Sequence, residues 1–436
     1  MDELGASLPR LRTAIPGPRG EAYVARLAET ECPAFTARRA RRAHESGASH
    51  DPIVWSEALG ANVVDADGNV FVDLTSGFGA SVLGHRHPRV VEAIQRQSER
   101  LIHALGDVHP SEPKLALLEK LAQIAPFEGA KTLLTLSGAD AVEAALKTAV
   151  LHTGRPGVLA FEGGYHGLSH GPLAACGYSD AFRRPFLAQL NPETHFIPFP
   201  DADPEASLER ARALLDAHPI GAVLIEPILG RGGTKVPPEG FLAELARLAR
   251  ERGAVVVADE IYTGLGRTGA RFRSVAAGLV PDLLCLGKAL GGGMPVSACV
   301  GRPEVMAAWG DPSGEAIHTG TFFGHPLGSA ASLATLEVLE AERLDRRAAE
   351  VGARFRAKLV ERTGRAVRGE GLLLAVDLGR AGRALAIVRA MLERGYIVLP
   401  TGRDASALGL TPPLTIDERL LDGFADALAD ALEETP

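Results

Sequence analysis

The chain has 436 residues, 46% of them hydrophobic and 23% charged, with a formal net charge of −8. That length exceeds one ordinary core, so two domains or lobes are expected, and the composition is that of a soluble globular protein. The acidic balance, with no basic block, argues against nucleic acid as a partner, and no run approaches the ~20 apolar residues of a membrane span. The N-terminal stretch MDELGASLPRLRTAIPGPRG has no apolar h-region. The four cysteines, Cys32, Cys176, Cys285 and Cys299, lie far apart with no CxxC pair. They point to neither a disulfide framework nor a metal site, and a reducing, cytoplasmic compartment is the expectation.

Residues 1–50 are rich in Arg, Pro and Ala, and Arg38, Arg39, Arg41 and Arg42 form a small basic cluster that reads as a solvated turn or a subunit contact. Pro52–Leu74 reads as short strands, with Asp67-Gly68 marking a hairpin turn. Ser76 to Pro88, SGFGASVLGHRHP, is a Gly-rich loop without phosphate-loop spacing. From Lys131 the pattern alternates. Strands are predicted at Thr132–Leu136, Gly157–Phe161, Ala222–Ile225, Val255–Ala258, Leu283–Leu286 and Val296–Val300, and helices at Asp140–Leu151, Pro204–Ala217 and Phe241–Arg252. This alternation predicts an α/β fold with a mostly parallel central sheet and helices on both faces. A long helix from Pro326, with Leu333, Leu336, Val338 and Leu339 on its apolar side, leaves that lobe. The remainder mixes helices with short strands such as Leu372–Val376 and Ile397–Pro400. The expected organisation is a large domain over 76–330 and a smaller α+β domain built from both chain ends, 1–75 and 331–436.

Two strand ends carry the chemistry. Val255 to Ala258 read as a buried parallel strand, and Asp259 and Glu260 stand at its carboxyl end, where open α/β sheets place their ligand sites. Leu283 to Leu286 form a second such strand, which runs through Gly287 into Lys288. A lysine there loses solvation, which favours the neutral amine that Schiff-base chemistry requires. Singly, Asp259 can be a turn cap and Lys288 a side chain that snorkels to water. Together they fit an enzyme of pyridoxal phosphate, whose aldehyde is held by a lysine and whose pyridinium nitrogen pairs with a carboxylate. Leu136-Ser137-Gly138-Ala139-Asp140 ends another strand and opens a helix. It reads both as a phosphate site on first-turn N–H groups and as a capping box with Ser137 at the N-cap.

The sequence VVVADEIYTGLGRTG (Val255–Gly269) followed by PDLLCLGKALGGGMP (Pro281–Pro295) resembles the signature of the class III, or ω-type, aminotransferases, which use pyridoxal phosphate and have fold type I. The resemblance extends from GHRHP near residue 85 to TPPL near residue 411. It implies Lys288 as the Schiff-base lysine and Asp259 as the partner of the ring nitrogen. It places Ser137, Gly138 and Ala139 at the phosphate, and Tyr165 and Ile261 on opposite faces of the pyridine ring. His166 supports the site from behind, and Tyr262 stands where relatives have a glutamine near the phenolic oxygen. Thr319 to Pro326 is similar to the family's TFGGNP-like segment, which implies that Thr321 reaches the phosphate of a neighbouring subunit's cofactor in a homodimer. His325 there replaces the usual Asn. Phe78 falls at a position that touches substrate in relatives, although it also reads as ordinary core.

The departures concern substrate. Leu224 to Gly233 resembles EPIQGEGG, but Arg231 replaces the second glutamate and Leu229 the glutamine. Leu408 to Leu414 resembles IRFAPPL, but Gly409 replaces the arginine that grips a substrate carboxylate. Arg231, or else Arg403, is left as the candidate carboxylate binder, with a surface arginine as the plain alternative for Arg231. The implied activity is transfer of an amino group between an amine or amino acid and a keto acid or aldehyde. A racemase or epimerase on the same scaffold is the alternative, and a non-catalytic scaffold protein is disfavoured because Lys288 and Asp259 are both present.

Overall fold

The computed structural model describes residues 4–47, 49–310 and 314–435. Residues 1–3, 48, 311–313 and 436, which fall inside the segments read from sequence, lie outside the described residues. The chain divides into two compact units, Met1–His87 with Arg347–Pro436, and Pro88–Arg346. The joins therefore fall at 87/88 and 346/347, rather than the expected 75/76 and 330/331. Hydrogen bonding explains the first difference: Gly60 N–H donates to His85 O, Leu414 N–H to Val82 O, and Ser76 Oγ to Thr411 O. These bonds tie the Ser76–His87 loop to the first unit. Packing explains the second, because the helix Pro326–Ala341 lies against the helices Pro88–Ser98 and Glu112–Ile124.

In the first unit, Trp55–Leu59, Asn62–Asp65 and Val70–Asp73 form an antiparallel meander, with Tyr396–Ile397 running parallel to the last. The expected Asp67-Gly68 turn is present, with Gly68 at φ 84° and its N–H on Asp65 O. The expected strand 397–400 is split between two sheets. Leu399–Thr401 belongs to a second sheet with Val367–Glu370, Leu373–Asp377 and Ala407–Leu410.

The second unit holds a seven-stranded sheet. Its strands are β1 (Lys131–Thr135), β2 (Gly157–Phe161), β3 (Thr194–Ile197), β4 (Ile220–Ile225), β5 (Val255–Asp259), β6 (Leu283–Leu286) and β7 (Ser297–Gly301). The spatial order is β1-β7-β6-β5-β4-β2-β3. The run from β3 to β6 is parallel, and β7 is antiparallel to both of its neighbours. Strands β2 and β4 to β6 are buried along their whole length, as continuous apolar runs covered on both faces should be. The helix Gly138–Thr153 buries Ala141, Val142, Ala144, Ala145 and Ala149 in the core formed with these strands. Small residues on that face let the helix pack closely over the sheet and fix where its N-terminus points.

Candidate active site

The carboxyl ends of β5 and β6 bring Asp259 and Lys288 to one edge of the sheet, with Asp259 paired to Cys285 in register. Asp259 is buried at 5% exposure. Its Oδ1 accepts the Ile261 N–H at 3.1 Å, and its Oδ2 lies 2.8 Å from His166 Nδ1. A carboxylate can only accept, so this contact puts the proton on Nδ1. Burial opposes a charged imidazole. The hydrogen bond to Asp259 and the charges of Asp259 and Glu226 outweigh it, and the His166 pKa is raised.

Lys288 has φ 41°, a left-handed backbone that costs a non-glycine residue about 1–3 kcal/mol and clusters at functional sites. Its Nζ lies 4.0 Å from the centre of the Tyr262 ring. The side chain keeps some accessible surface, but desolvation dominates and lowers its pKa. The charges of Asp259 and Glu226 oppose that shift, and those of Arg231 and Arg267 add to it. A lysine so placed is neutral more of the time than one in water, which is the form that attacks a carbonyl.

Two glycines make the surrounding packing possible. A Cβ on Gly138 would come 2.9 Å from Ile261 Cδ1, and one on Gly230 would come 2.3 Å from Tyr262 Cδ1. The first contact brings the start of the helix Gly138–Thr153 against Ile261, two residues after Asp259. Ser137 is the N-cap of that helix and accepts the Asp140 N–H at 3.2 Å. The first-turn N–H groups of Gly138 and Ala139 have no intrahelical acceptor. The set comprises a buried carboxylate, a desolvated amine beside it and a helix N-terminus across Ile261, and it fits the ring nitrogen, aldehyde and phosphate of pyridoxal phosphate.

Arg231 is exposed, and its Cζ stands 4.6, 4.8 and 5.5 Å from the ring centres of Tyr165, Tyr178 and Phe182. Glu226, buried, accepts the Tyr165 N–H at 2.7 Å through Oε1 and the Gly230 N–H at 3.0 Å through Oε2. It thereby joins the aromatic loop to the arginine loop. Burial pushes its pKa up to about 7.

The remaining predicted residues stand on other segments of the chain. Thr321 is exposed on its loop. In the first unit, Ser76, Gly77 and Phe78 are consecutive left-handed residues, at φ 47°, 55° and 63°. Asp73 anchors this turn by accepting from Thr75 and Gly77. Phe78 is 67% exposed, which rules out the core reading. Arg403 is exposed between Leu399–Thr401 and Ala407–Leu410.

Sequence reasoning gave no role to Glu226, Arg267, Tyr178 or Phe182. Glu226 and Arg267 stand inside the quoted motifs, and for Glu226, within the apolar run Leu224–Leu229, the lone charge was a readable signal. Burial lowers the Arg267 pKa to about 10. Tyr178 and Phe182 carried no such signal. Glu260, next to Asp259, turns away: it accepts the Ser274 N–H at 2.6 Å and the Thr263 hydroxyl.

Comparison with known proteins places the chain in a family. The sequence profile of the class III aminotransferases matches residues 43–432. An acetylornithine aminotransferase of Methanopyrus kandleri is 39% identical over 89% of this chain and 96% of its own length. An alanine/serine racemase of Pyrococcus horikoshii is 33% identical over 88% of this chain and 86% of its own. The crystal structure of a pyridoxal phosphate-bound amine transaminase from an uncultivated Pseudomonas species superposes with a TM-score of 0.81. It is 30% identical and covers 88% of this chain and 95% of its own. The chain belongs to the class III aminotransferase family, and it is a pyridoxal phosphate-dependent enzyme of fold type I that transfers amino groups.

Proposed function

We propose that Lys288 is the residue that holds the cofactor aldehyde and then carries a proton at the substrate Cα. Asp259 faces the pyridinium nitrogen, and His166 holds Asp259 in place. Gly138 and Ala139 offer backbone N–H groups to the phosphate, with Ser137 closing the turn, and Thr321 serves the phosphate in a second subunit. Tyr165 and Ile261 flank the ring, and Tyr262 lies beside the reacting amine. When bound, pyridoxal phosphate supplies an electron sink that weakens the bonds at Cα. The observation that carries this reading is the single edge of the sheet shared by a buried Asp259 and a desolvated Lys288.

One substrate carries a carboxylate, and Arg231 binds it. Three aromatic faces restrict the guanidinium, and a planar, pre-oriented fork suits a bidentate carboxylate. Its charge is also felt at Lys288, where it adds to the lowering of the pKa. Acetylornithine, named for the Methanopyrus relative, has such a carboxylate. Arg231→Ala should raise KM for a carboxylate-bearing substrate by about tenfold or more, the loss of a charge-assisted contact of roughly 1.5–3 kcal/mol. A carboxylate-free amine should be nearly unaffected. Equal, unchanged kinetics for both substrates would make Arg231 structural. One screen that follows amine transfer and loss of optical purity together separates transfer from racemisation.

The enzyme acts as a cytoplasmic homodimer with its site at the subunit interface. Leu105 is 64% exposed and Phe322 55%, and Ile102, Val108 and Ile317 are exposed on the same two segments. The His103 and Phe322 rings lie 5.2 Å apart and join those segments into one apolar patch. A second copy would cover this patch and give Thr321 its partner. Sedimentation should report two chains per particle, and a monomer active at assay concentration would reject the shared site.

A further inference from the structure

Away from this site, the sheet brings together a second group of potential ligands. Glu193 and His195 flank the start of the edge strand β3, and His218 caps the end of the helix Pro204–Ala217, just before β4. One ligand atom from each lies within 4.8 Å of the others. His195 Nε2 is 3.6 Å and His218 Nδ1 4.0 Å from the same oxygen, Glu193 Oε2. The two imidazole centres are 3.9 Å apart. His195 Nε2 is shielded from solvent and makes no hydrogen bond. Separations of 3.6–4.0 Å are too long for hydrogen bonds. They lie close to the ~3.3–3.6 Å expected between two ligand atoms that share a tetrahedral zinc ion at about 2.0–2.2 Å.

Backbone pairing holds all three residues before any ion arrives. Glu193 O accepts the Val158 N–H at 2.9 Å, His195 pairs with Leu159 across the ladder, and His218 N–H donates to Leu214 O while its carbonyl accepts from Ile220. We propose that Glu193, His195 and His218 form a binding site for a divalent late-transition metal such as Zn²⁺, with one carboxylate and two imidazole ligands and the remaining positions open to water. The ion ties the edge strand β3 to the turn that enters β4, across the start of β2. This is the amino-terminal edge of the parallel strands, opposite the edge that carries Asp259 and Lys288, so the ion is structural and takes no part in amine transfer.

The test is equilibrium dialysis of untagged holoenzyme against Zn²⁺, with Mg²⁺ as a hard-cation control. The native protein should hold one zinc per chain and no magnesium, and zinc should raise its thermal unfolding midpoint. His195→Gln and His218→Gln should each weaken zinc binding about tenfold or more, abolish the thermal shift and leave amine transfer unchanged. The proposal is overturned if native protein takes up no zinc, or if both variants bind it as tightly as the native chain. Should a variant not fold, the X-ray absorption spectrum of the zinc-loaded native enzyme decides. Two imidazole nitrogens with oxygen ligands are expected, and sulfur ligation would overturn the site.

Discussion

Lys288→Ala is expected to abolish amine transfer and to remove the visible absorption that a covalently held pyridoxal group gives the native enzyme. Borohydride reduction of the native protein should leave the pyridoxyl label on Lys288 alone. The other lysines have ordinary surroundings. Lys120, Lys235 and Lys358 pair with Glu340, Asp201 and Asp422, Lys114 donates to Gly106 O, Lys147 meets His318, and Lys131 is exposed at the start of β1. Lys288 Nζ instead faces an aromatic ring, and burial lowers its pKa. Loss of proton transfer alone costs about 10²–10⁴ in rate, and loss of the covalent anchor adds to that. The left-handed φ at 288 gives a control, because alanine keeps the same backbone demand and the fold should survive. A pyridoxyl label on any other lysine, or turnover within tenfold of native, would sink the assignment.

Much of this arrangement is legible in the chain because buried parallel strands are continuous apolar runs. Val255–Ala258 and Leu283–Leu286 announce themselves, and so do the polar residues that end them. The short edge strand Thr194–Ile197 is not announced. Only one of its four residues is fully buried, so it lacks the run that marks its neighbours. The antiparallel direction of Ser297–Gly301 is likewise hidden, since an apolar strand reads the same in either direction. Family likeness supplied Phe78, Tyr165, Ile261 and Thr321, where residue type alone left a core reading open for Phe78 and a loop reading for Thr321. What no local pattern carries is long-range meeting. Tyr178 and Phe182 reach Arg231 from some fifty residues away, and His218 reaches His195 across an intervening strand.

Asp259→Asn should leave the fold intact and cut turnover at least tenfold, ~1.4 kcal/mol of barrier. Asparagine is nearly isosteric, and its carbonyl oxygen can still accept either the Ile261 N–H or a His166 proton. What it cannot supply is negative charge. The ring nitrogen of a bound pyridoxal group stays protonated only beside an anion, and without that proton the electron sink weakens. His166 gives an independent readout. Its pKa is set by burial, which lowers it, against the hydrogen bond and charge of Asp259 and the charge of Glu226, which together raise it. Removing the Asp259 charge leaves burial dominant, so the His166 pKa should fall in the variant, as followed by imidazole resonances in an NMR titration. A matching circular dichroism spectrum with near-native turnover would reject the role of Asp259. An unmoved His166 titration would show that the histidine draws its proton affinity from Glu226 instead.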